Sequence, residues 1–272
     1  MIVEFQVTAR QKYADITEKL REAVKNSGVK EGLAVVQVPH TTAGLGITSF
    51  WDPRGMADLF HEWERNFPAR MSYRQELSPV SAAAHGKSAL GGASVTLMIH
   101  GGKLLLGSSQ GVCLMEYDGP RLRRVAIQIW KAPIALYTGG LTTRHMGMHD
   151  ITPELQRTVR DSGVRQGICH VSMPHSTAGL LVGRPADACR LGDCLERLVP
   201  TRADFLHDET PWDAAGHVKT VFSGSQQTFA VRDGQAELGD ELALFFAEFD
   251  GPRRRKYMIG VCGEHEDSPA EG

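Results

Sequence analysis

The stretch PHTTAGL at residues 39–45 recurs as PHSTAGL at residues 174–180, which lies 135 residues further along the chain. Later segments recur at a spacing of 132 residues, for example EYDGPR at 116–121 and EFDGPR at 248–253. So many matches in one order indicate an internal duplication rather than chance. The sequence therefore predicts two tandem domains of ordinary size, with repeat 1 at residues 1–134 and repeat 2 at residues 135–272.

The composition of the 272-residue chain excludes several classes of protein. Hydrophobic residues make up 42% of it, which is too much apolar side chain for a disordered protein. The formal net charge of -2 creates no field that would attract nucleic acid or a membrane surface. No apolar stretch reaches about 20 residues, the N-terminus lacks a signal-peptide core, and the five cysteines form no CxxC pair. We therefore expect a cytoplasmic protein with no nucleic-acid or membrane partner.

Each copy combines helical and strand patterns. In repeat 1 a first helix is predicted from apolar residues at helical spacing, and a second is predicted to begin at Asp52-Pro53. The remaining apolar segments are short and separated by turn residues, which is typical of strands. Strands gathered in runs, with helices inserted, predict an α+β fold. We expect a mostly antiparallel sheet and two main helices in each repeat.

A histidine followed by hydroxyl side chains stands at the end of an apolar strand in each copy. It is His40-Thr41-Thr42 in repeat 1 and His175-Ser176-Thr177 in repeat 2. The hydroxyls, together with backbone N–H groups that small neighbours leave accessible, suit an anion such as phosphate. The histidine can donate to that anion, transfer a proton or bind a metal. The alternative is a tight turn whose hydroxyls satisfy their own backbone, but retention in both copies favours a functional role.

A second recurring motif pairs a histidine with a lysine. His85 and Lys87 match His217 and Lys219. The motif is interpreted as part of a strand, on which residues two apart point to the same face. That face would suit a pyrophosphate or a carboxylate, and the alternative is a solvated strand edge.

A third motif places a glutamate at the end of an apolar strand. Glu116 in repeat 1 matches Glu248 in repeat 2, and a carboxylate buried there needs either a cation, such as Arg121, or a ligand. Basic runs follow at 121–124 and 253–256, so Arg121 and Arg253 are candidate phosphate contacts. The alternative is a turn followed by a solvated basic face.

The 11 histidines form no HExxH motif and no Cys/His pattern with zinc spacing. In repeat 2, His175, His207 and His217 could converge, and such a set would suit zinc or nickel if the geometry permits. Spacing alone does not establish this, and metal binding therefore stays an alternative.

The strings HTTAGLGITSFWDP, AHGKSALGG and LGSSQGVCLMEYDGPRLRR, in that order, resemble the YjbQ family, whose members are also called secondary thiamine-phosphate synthases. The resemblance covers nearly the whole of each copy, so the chain looks like a tandem duplication of a normally single-domain protein. It implies a β-sandwich-like core and a homo-oligomer, usually a trimer, with clefts near subunit contacts. It also implies a weak activity that joins an aminopyrimidine pyrophosphate to a thiazole phosphate to give thiamine phosphate.

The resemblance carries site residues onto this chain position by position, and neither copy is complete. Repeat 1 departs from the family at Tyr73-Arg74-Gln75, where a histidine is usual, whereas repeat 2 keeps that histidine as His207. Repeat 2 departs at Arg184-Pro185 and at Leu242, where repeat 1 has Asp52-Pro53 and Gln110. Either one site has decayed in each copy, or a composite site takes complementary parts from both.

The expected function is therefore that of an enzyme acting on a small phosphorylated molecule, which magnesium would accompany if it carries pyrophosphate. The histidines and hydroxyls would hold the pyrophosphate, and the glutamates would stabilise positive charge developing on the pyrimidine. Candidate catalytic residues are His40, His85, Glu116, His175, His217 and Glu248, and candidate substrate-binding residues are Thr41, Thr42, Gln110, Arg121, Ser176, Thr177, Lys219 and Arg253. The alternative is a non-catalytic protein that binds an anion or a metal such as zinc through clustered histidines, with one repeat structural.

Overall fold

The computed structural model describes residues 2–8, 12–74, 78–144, 146–207 and 209–265. In these ranges repeat 1 comprises β1 (Ile2–Thr8), β2 (Tyr13–Asp15), α1 (Thr17–Ser27), β3 (Gly32–Gln37), β4 (Ala43–Ser49), α2 (Pro53–Asn66), α3 (Pro79–Gly91), β5 (Ser94–His100), β6 (Lys103–Leu104), β7 (Gln110–Glu116) and β8 (Leu122–Lys131). Repeat 2 comprises β9 (Ala135–Thr142), β10 (Gly147–Asp150), α4 (Thr152–Asp161), β11 (Val164–Ser172), β12 (Ala178–Gly183), a 3-10 turn (Pro185–Asp187), α5 (Ala188–Leu198), α6 (Pro211–Ser223), β13 (Gln226–Arg232), β14 (Gln235–Ala236), β15 (Ala243–Glu248) and β16 (Arg254–His265). None of the helices in these ranges combines the length and apolar composition needed to cross a bilayer.

Both repeats build the same pair of antiparallel sheets. In repeat 1 a five-stranded sheet has the order β1-β8-β3-β5-β6 and a three-stranded sheet has the order β2-β7-β4. Repeat 2 reproduces them as β9-β16-β11-β13-β14 and β10-β15-β12. The predicted fold class, two copies of an α+β domain with antiparallel sheets, is confirmed.

The core of each repeat lies between its two sheets, because alternate strand residues point inward. In repeat 1, Val36 and Ile127 of the five-stranded sheet meet Leu45 and Leu114 of the three-stranded sheet, and Leu20 of α1 closes one side. Repeat 2 has the equivalent core. The result is the sandwich-like core that the family resemblance implied.

The third helix of each repeat, α3 or α6, corrects the prediction of two main helices. Residues 82–84 are alanines, which have the highest helix propensity, and Ser78 caps α3 by accepting a backbone N–H hydrogen bond. Thr210 caps α6 in the same way, and a proline follows each cap. His85 and Lys87 therefore lie on a helix rather than on a strand. Two positions on a helix are about 200° apart, so these side chains do not share a face.

The repeats pack against each other through an aromatic core of their own. Trp63 of α2 is fully buried and stacks on Phe222 of α6, with their ring centroids 4.2 Å apart. A second apolar contact joins the outer faces of the two five-stranded sheets, where Leu33 and Met98 meet Cys262. This packing brings the start of α2 against the segment that leads into α6, and the candidate site lies at that junction.

Candidate functional site

A cavity of about 180 Å³ opens at the junction of the repeats, and we call it the composite cavity. Its walls come from both copies, which fits the composite arrangement considered from the sequence. The lining residues are Thr48, Ser49, Trp51, Asp52, Gly55, Leu59 and Ser109 of repeat 1 with Ser176, His207, Glu209, Asp213 and His217 of repeat 2. Hydroxyls, histidines and carboxylates thus converge around one small volume.

The centre of the composite cavity is His207, whose imidazole is held between carboxylates of different repeats. Its Nδ1 lies 2.7 Å from Oδ2 of Asp52, and its Nε2 lies 2.7 Å from Oδ2 of Asp213. The same Asp213 oxygen is 3.4 Å from Nε2 of His217. Asp213 and His217 are four residues apart on α6 and therefore share a helical face. These contacts form a continuous chain of acid and imidazole groups across the repeat boundary.

The carboxylates change the protonation behaviour of this cluster. Burial alone would lower the pKa of His207, but hydrogen bonds to Asp52 and Asp213 outweigh it and raise that pKa. Burial likewise opposes ionisation of Asp213, yet hydrogen bonds from His217 and His207 lower its pKa to about 2. The Arg54 side chain and backbone N–H hold the pKa of Asp52 well below its usual range. At neutral pH both carboxylates are therefore ionised, and their hydrogen bonds shift the imidazole between them towards its protonated form.

Helix α2 also fixes the backbone that carries His207. The carboxylate of Asp58 accepts the N–H groups of Leu206 and His207, each at 2.8 Å. One turn further along, the fully buried Glu62 pairs with Arg202 of repeat 2. Among its described residues, the segment between α5 and α6 has no regular secondary structure. Repeat 1 therefore helps to hold this part of repeat 2 in place, next to the contacts of Thr201 with Glu196 and Lys219.

The cluster predicts a pH-dependent contribution to stability. The pKa of His207 is raised above 6.5 in the folded chain, so its contribution is present below about pH 6.5 and is lost as the pH rises through the raised value. The pKa of Asp213 is lowered to about 2 from 3.8, so its contribution is present above about pH 4 and is lost as the pH falls towards 2. We expect His207→Gln to lower the free energy of unfolding most between about pH 4 and 6.5, as measured by urea denaturation.

The exposed His85 provides the control for this pH profile. His85→Gln should change the unfolding free energy by less than about 0.5 kcal/mol at every pH. We call the contact of His207 with Asp52 and Asp213 the clamp. If His207→Gln lowered the unfolding free energy equally at pH 5 and at pH 9, the clamp would make no pH-dependent contribution to stability.

The two motif histidines, His40 and His175, lie outside the lining of the composite cavity. Nε2 of His40 accepts the N–H of Arg124 at 2.9 Å, and Nε2 of His175 accepts the N–H of Lys256 at 2.8 Å. Burial, followed by the charge of a nearby arginine, lowers the pKa of both imidazoles, and that of His175 falls to about 4. Each is thus a neutral acceptor that ties a strand end to the neighbouring strand.

The two motif glutamates each form a buried ion pair, although not with the predicted arginine. Glu116 pairs with Arg123, whereas Arg121 pairs with Asp118 at 2.8 Å. In repeat 2 the counterparts behave alike: Glu248 pairs with Arg255, and Arg253 pairs with Asp250. The same inner arginines donate to Thr42 and Thr177 of the histidine motifs. Arg121 as the partner of Glu116 is therefore wrong, because Arg123 is the arginine whose side chain points into the protein from β8.

The remaining predicted residues are placed apart from one another. His85 and Thr41 are exposed. Gln110 donates to the backbone oxygens of Met173 and His175, so it joins the repeats. Lys219 is buried against Glu196, at 2.6 Å, in a different cavity from His217. Of the predicted residues, only Ser176, His207 and His217 line the composite cavity.

Asp213 and Asp58 are the important residues that the sequence reasoning missed. Asp213 stands four residues before His217, a spacing that matters only once the segment is known to be a helix. Asp58 carries no motif, and its partners are backbone groups of the other repeat. A helical interpretation of 211–223 would have identified the first residue, but no local signal identifies the second.

The two repeats have lost complementary parts of this cluster. At the spacing of 132 residues, three members have a counterpart of different chemistry: Arg184 for Asp52, Gln75 for His207 and Ser81 for Asp213, whereas the counterpart of His217 is a histidine, His85. Gln75 lies outside the described residues. Repeat 1 thus supplies Asp52, repeat 2 supplies His207, Asp213 and His217, and these side chains meet at the composite cavity.

A family model described as "UPF0047 protein YjbQ-like" matches residues 1–132 and again residues 139–264. A UPF0047 protein of Methanocaldococcus jannaschii is 36% identical over 126 residues, which are 45% of this chain and 90% of that protein. The UPF0047 protein YugU of Bacillus subtilis is 32% identical over 127 residues, covering 47% of this chain and 96% of that protein.

Matches to solved structures also cover about half of this chain. An uncharacterized conserved protein of the yjbq/upf0047 family from Clostridium acetobutylicum is 37% identical with a TM-score of 0.44, and the match covers 47% of this chain and 99% of that one. A hypothetical protein from Aeropyrum pernix is 31% identical with a TM-score of 0.46, and the match covers 48% of this chain and 98% of that one. Each of these relatives thus corresponds to about one repeat.

Proposed function

Since the chain belongs to the YjbQ-like UPF0047 family as two tandem copies, we propose that it is an enzyme whose single working site is the composite cavity. The observation that supports this most is the clamp of His207 between Asp52 of repeat 1 and Asp213 of repeat 2. Buried acid and imidazole groups with shifted pKa values, gathered at the wall of a cavity, are typical of catalytic sites. The differences between the two repeats favour the same interpretation, because the matching positions carry Asp52 only in repeat 1 and His207 and Asp213 only in repeat 2.

The charges of the cavity indicate the class of substrate. The wall holds the carboxylates of Asp52, Asp213 and Glu209, of which Arg54 pairs with Asp52 and His207 contacts both Asp52 and Asp213, so carboxylates outnumber cations. A bare phosphate would be repelled by this net negative charge, whereas a phosphate that carries a divalent cation would not. Hydroxyls of Ser49 and Ser176 can donate to its oxygens. The proposed substrate is therefore a small phosphorylated molecule that enters together with magnesium.

The thiamine-phosphate reaction attributed to the family has the required chemistry. The aminopyrimidine pyrophosphate gains a bond to the thiazole phosphate and loses pyrophosphate, so negative charge develops on the leaving group. His217 is the proposed acid that meets this charge, because Asp213 orients it through Nε2 and no described residue accepts from its Nδ1. His40, His175, Glu116 and Glu248 would then act indirectly, by fixing the strands around the site.

This assignment predicts the effect of removing one imidazole. With aminopyrimidine pyrophosphate, thiazole phosphate and Mg²⁺, His217→Gln should lower kcat for thiamine phosphate formation by about 100-fold or more, because general acid catalysis supplies that much. The measurement is steady-state product formation. His85→Gln, which changes the exposed counterpart of His217 in repeat 1, should leave kcat unchanged.

Two results would overturn the proposal. Equal rates of thiamine phosphate formation for wild type and His217→Gln would contradict a catalytic role for the composite cavity. A complete lack of product from the wild-type chain would exclude the thiamine-phosphate reaction itself.

The second candidate function is metal binding without turnover, and one observation favours it. His207, Asp213 and His217 offer three ligand atoms within 4.8 Å of one another. Two imidazoles and a carboxylate form a donor set that suits zinc and leaves a position for water or substrate. In equilibrium dialysis we expect one Zn²⁺ per chain for wild type and His85→Gln, and none for Asp213→Asn. Dialysis that retains no metal in the wild type would exclude this function.

A further inference from the structure

Repeat 2 contains a larger cavity, of about 380 Å³, that shares no lining residue with the composite cavity. We call it the repeat 2 cavity. Most of its exposed lining is apolar and includes Met146, Met148, Leu195 and Phe249. Its volume falls within the range of about 300–1,000 Å³ in which small-molecule sites are found. Neither the family nor the proposed reaction accounts for it.

A buried lysine provides a polar group in the mostly apolar lining of this cavity. Lys219 is 1% exposed and lines the cavity together with its partner Glu196. Its ammonium donates to Oε2 of Glu196 at 2.6 Å and to Oγ1 of Thr201 at 3.1 Å. An ammonium has three N–H donors, so among the described residues one donor is left for a ligand. An acceptor placed there would be shielded from water and hence well bound.

The charges around Lys219 decide what kind of acceptor fits. Glu196 already neutralises the ammonium, and Glu248 is neutralised by Arg255. The remaining charge in the lining is the exposed carboxylate of Asp193. An anionic ligand would therefore meet a neutral ion pair and a like charge. A neutral carbonyl oxygen can take the free N–H without that penalty.

We infer that the repeat 2 cavity binds a small, uncharged, largely apolar molecule through a carbonyl oxygen that accepts the third N–H of Lys219. The methionines provide adaptable walls for such a molecule. The corresponding cavity of repeat 1 has the equivalent Lys87–Glu64 pair but carries the additional cation of Lys12, so it suits a different occupant. The inference concerns repeat 2 alone and stands whether or not the composite cavity is catalytic.

Two thiols on α5 provide an internal reporter for binding. Cys189 lines the repeat 2 cavity, whereas Cys194 is exposed on the same helix but does not line it. The other three cysteines are buried. With octanamide as the probe, we expect the rate of alkylation of Cys189 by iodoacetamide to fall by about tenfold at saturation, because the bound probe covers the thiol. The rate at Cys194 should not change.

Variants and a charged probe complete the test. Gly192 lines the cavity, and a Cβ at this position would meet only Met148 Cε, at 3.9 Å. Gly192→Leu should therefore fill the cavity and abolish the protection of Cys189 by octanamide. Leucine also has a higher helix propensity than glycine, so the helix should not be destabilised. Gly55→Leu, which fills the composite cavity instead, should leave protection intact. Lys219→Met should weaken octanamide binding about tenfold through the lost hydrogen bond, and octanoate should protect less than octanamide.

The contrary outcomes are equally specific. Three results would overturn the site. They are an unchanged alkylation rate of Cys189, equal slowing at Cys189 and Cys194, and protection of Cys189 by octanamide that survives Gly192→Leu. Stronger protection by octanoate would overturn the uncharged ligand class. Thiamine phosphate formation by His217→Gln tests only the composite cavity, whereas alkylation of Cys189 tests only the repeat 2 cavity. Failure of one proposal can therefore be distinguished from failure of the other.

Discussion

Replacing Arg255 by methionine is expected to destabilise the chain by about 3–5 kcal/mol, because it leaves a buried carboxylate without its cation. The side chain of Glu248 has no exposed surface, and its Oε2 lies 2.7 Å from Nε of Arg255. Thr143 donates to the same carboxylate at 2.7 Å. Burial opposes ionisation of Glu248, but hydrogen bonds from Arg255 and Thr143 lower its pKa. Loss of the arginine would therefore leave a charge that the site cannot solvate, which urea denaturation would measure.

The neighbouring arginine provides the matched control. Arg254 is exposed on the same strand, so Arg254→Met should change the unfolding free energy by less than about 0.5 kcal/mol. The double variant Glu248→Leu with Arg255→Met removes both charges and should be more stable than Arg255→Met alone. An Arg255→Met chain as stable as wild type would show that the ion pair contributes nothing to folding.

The ion pair also explains why a recurring glutamate need not be a catalytic group. Glu116 with Arg123 repeats the contact that Glu248 makes with Arg255. In both copies the inner arginine extends to a threonine of the histidine motif, at 2.9 Å from Thr42 and 3.0 Å from Thr177. Motif residues that are distant in sequence thus form one buried polar network in each repeat. Such a network persists through duplication because every member depends on the others.

Much of the fold could be predicted from the sequence because its signals are local or repeated. The recurrence of PHTTAGL as PHSTAGL identified the duplication without any structural knowledge. Alternating and short apolar runs indicated antiparallel strands, and the helical spacing before Gly28 located α1, which ends there with Gly28 at a φ of 69°. The third helix is hard to predict because its alanine-rich segment has a weak amphipathic pattern, so only the cap and the following proline mark its start.

The candidate site was harder to predict because it depends on how the repeats pack. His207 and His217 were expected to approach each other, but the group that joins them is Asp213, and the group that completes the clamp, Asp52, lies 155 residues before His207. No periodicity within one repeat reports a contact between repeats. The motif histidines His40 and His175 were chosen for their recurrence, yet recurrence also preserves hydrogen bonds that only hold strands together.

Replacing Asp58 by alanine should disrupt the composite cavity from a position that does not line it. Its carboxylate accepts two backbone N–H groups of repeat 2, those of Leu206 and His207. Asp58 is only 2% exposed. The variant would leave the buried N–H of His207 unpaired, and the N–H of the exposed Leu206 would lose its acceptor to water. A hydrogen bond to a charged group contributes about 1.5–3 kcal/mol, and we therefore expect a loss of about 2–4 kcal/mol in the free energy of unfolding.

Zinc binding and turnover of the Asp58 variants test whether Asp58 positions the segment that carries His207 or contributes only to packing. Asp58→Asn keeps one acceptor oxygen, so it should retain part of the stability and intermediate affinity for Zn²⁺ in the dialysis experiment. Arg190→Ala changes the exposed counterpart of Asp58 in repeat 2 and should alter neither quantity. If Asp58→Ala lowered stability but left both Zn²⁺ binding and turnover unchanged, the segment carrying His207 would be positioned by repeat 2 itself. Asp52, at the N-cap of α2, supplies one carboxylate of the clamp, and Asp58 within α2 supports the backbone of its histidine, so the proposed site draws on both repeats.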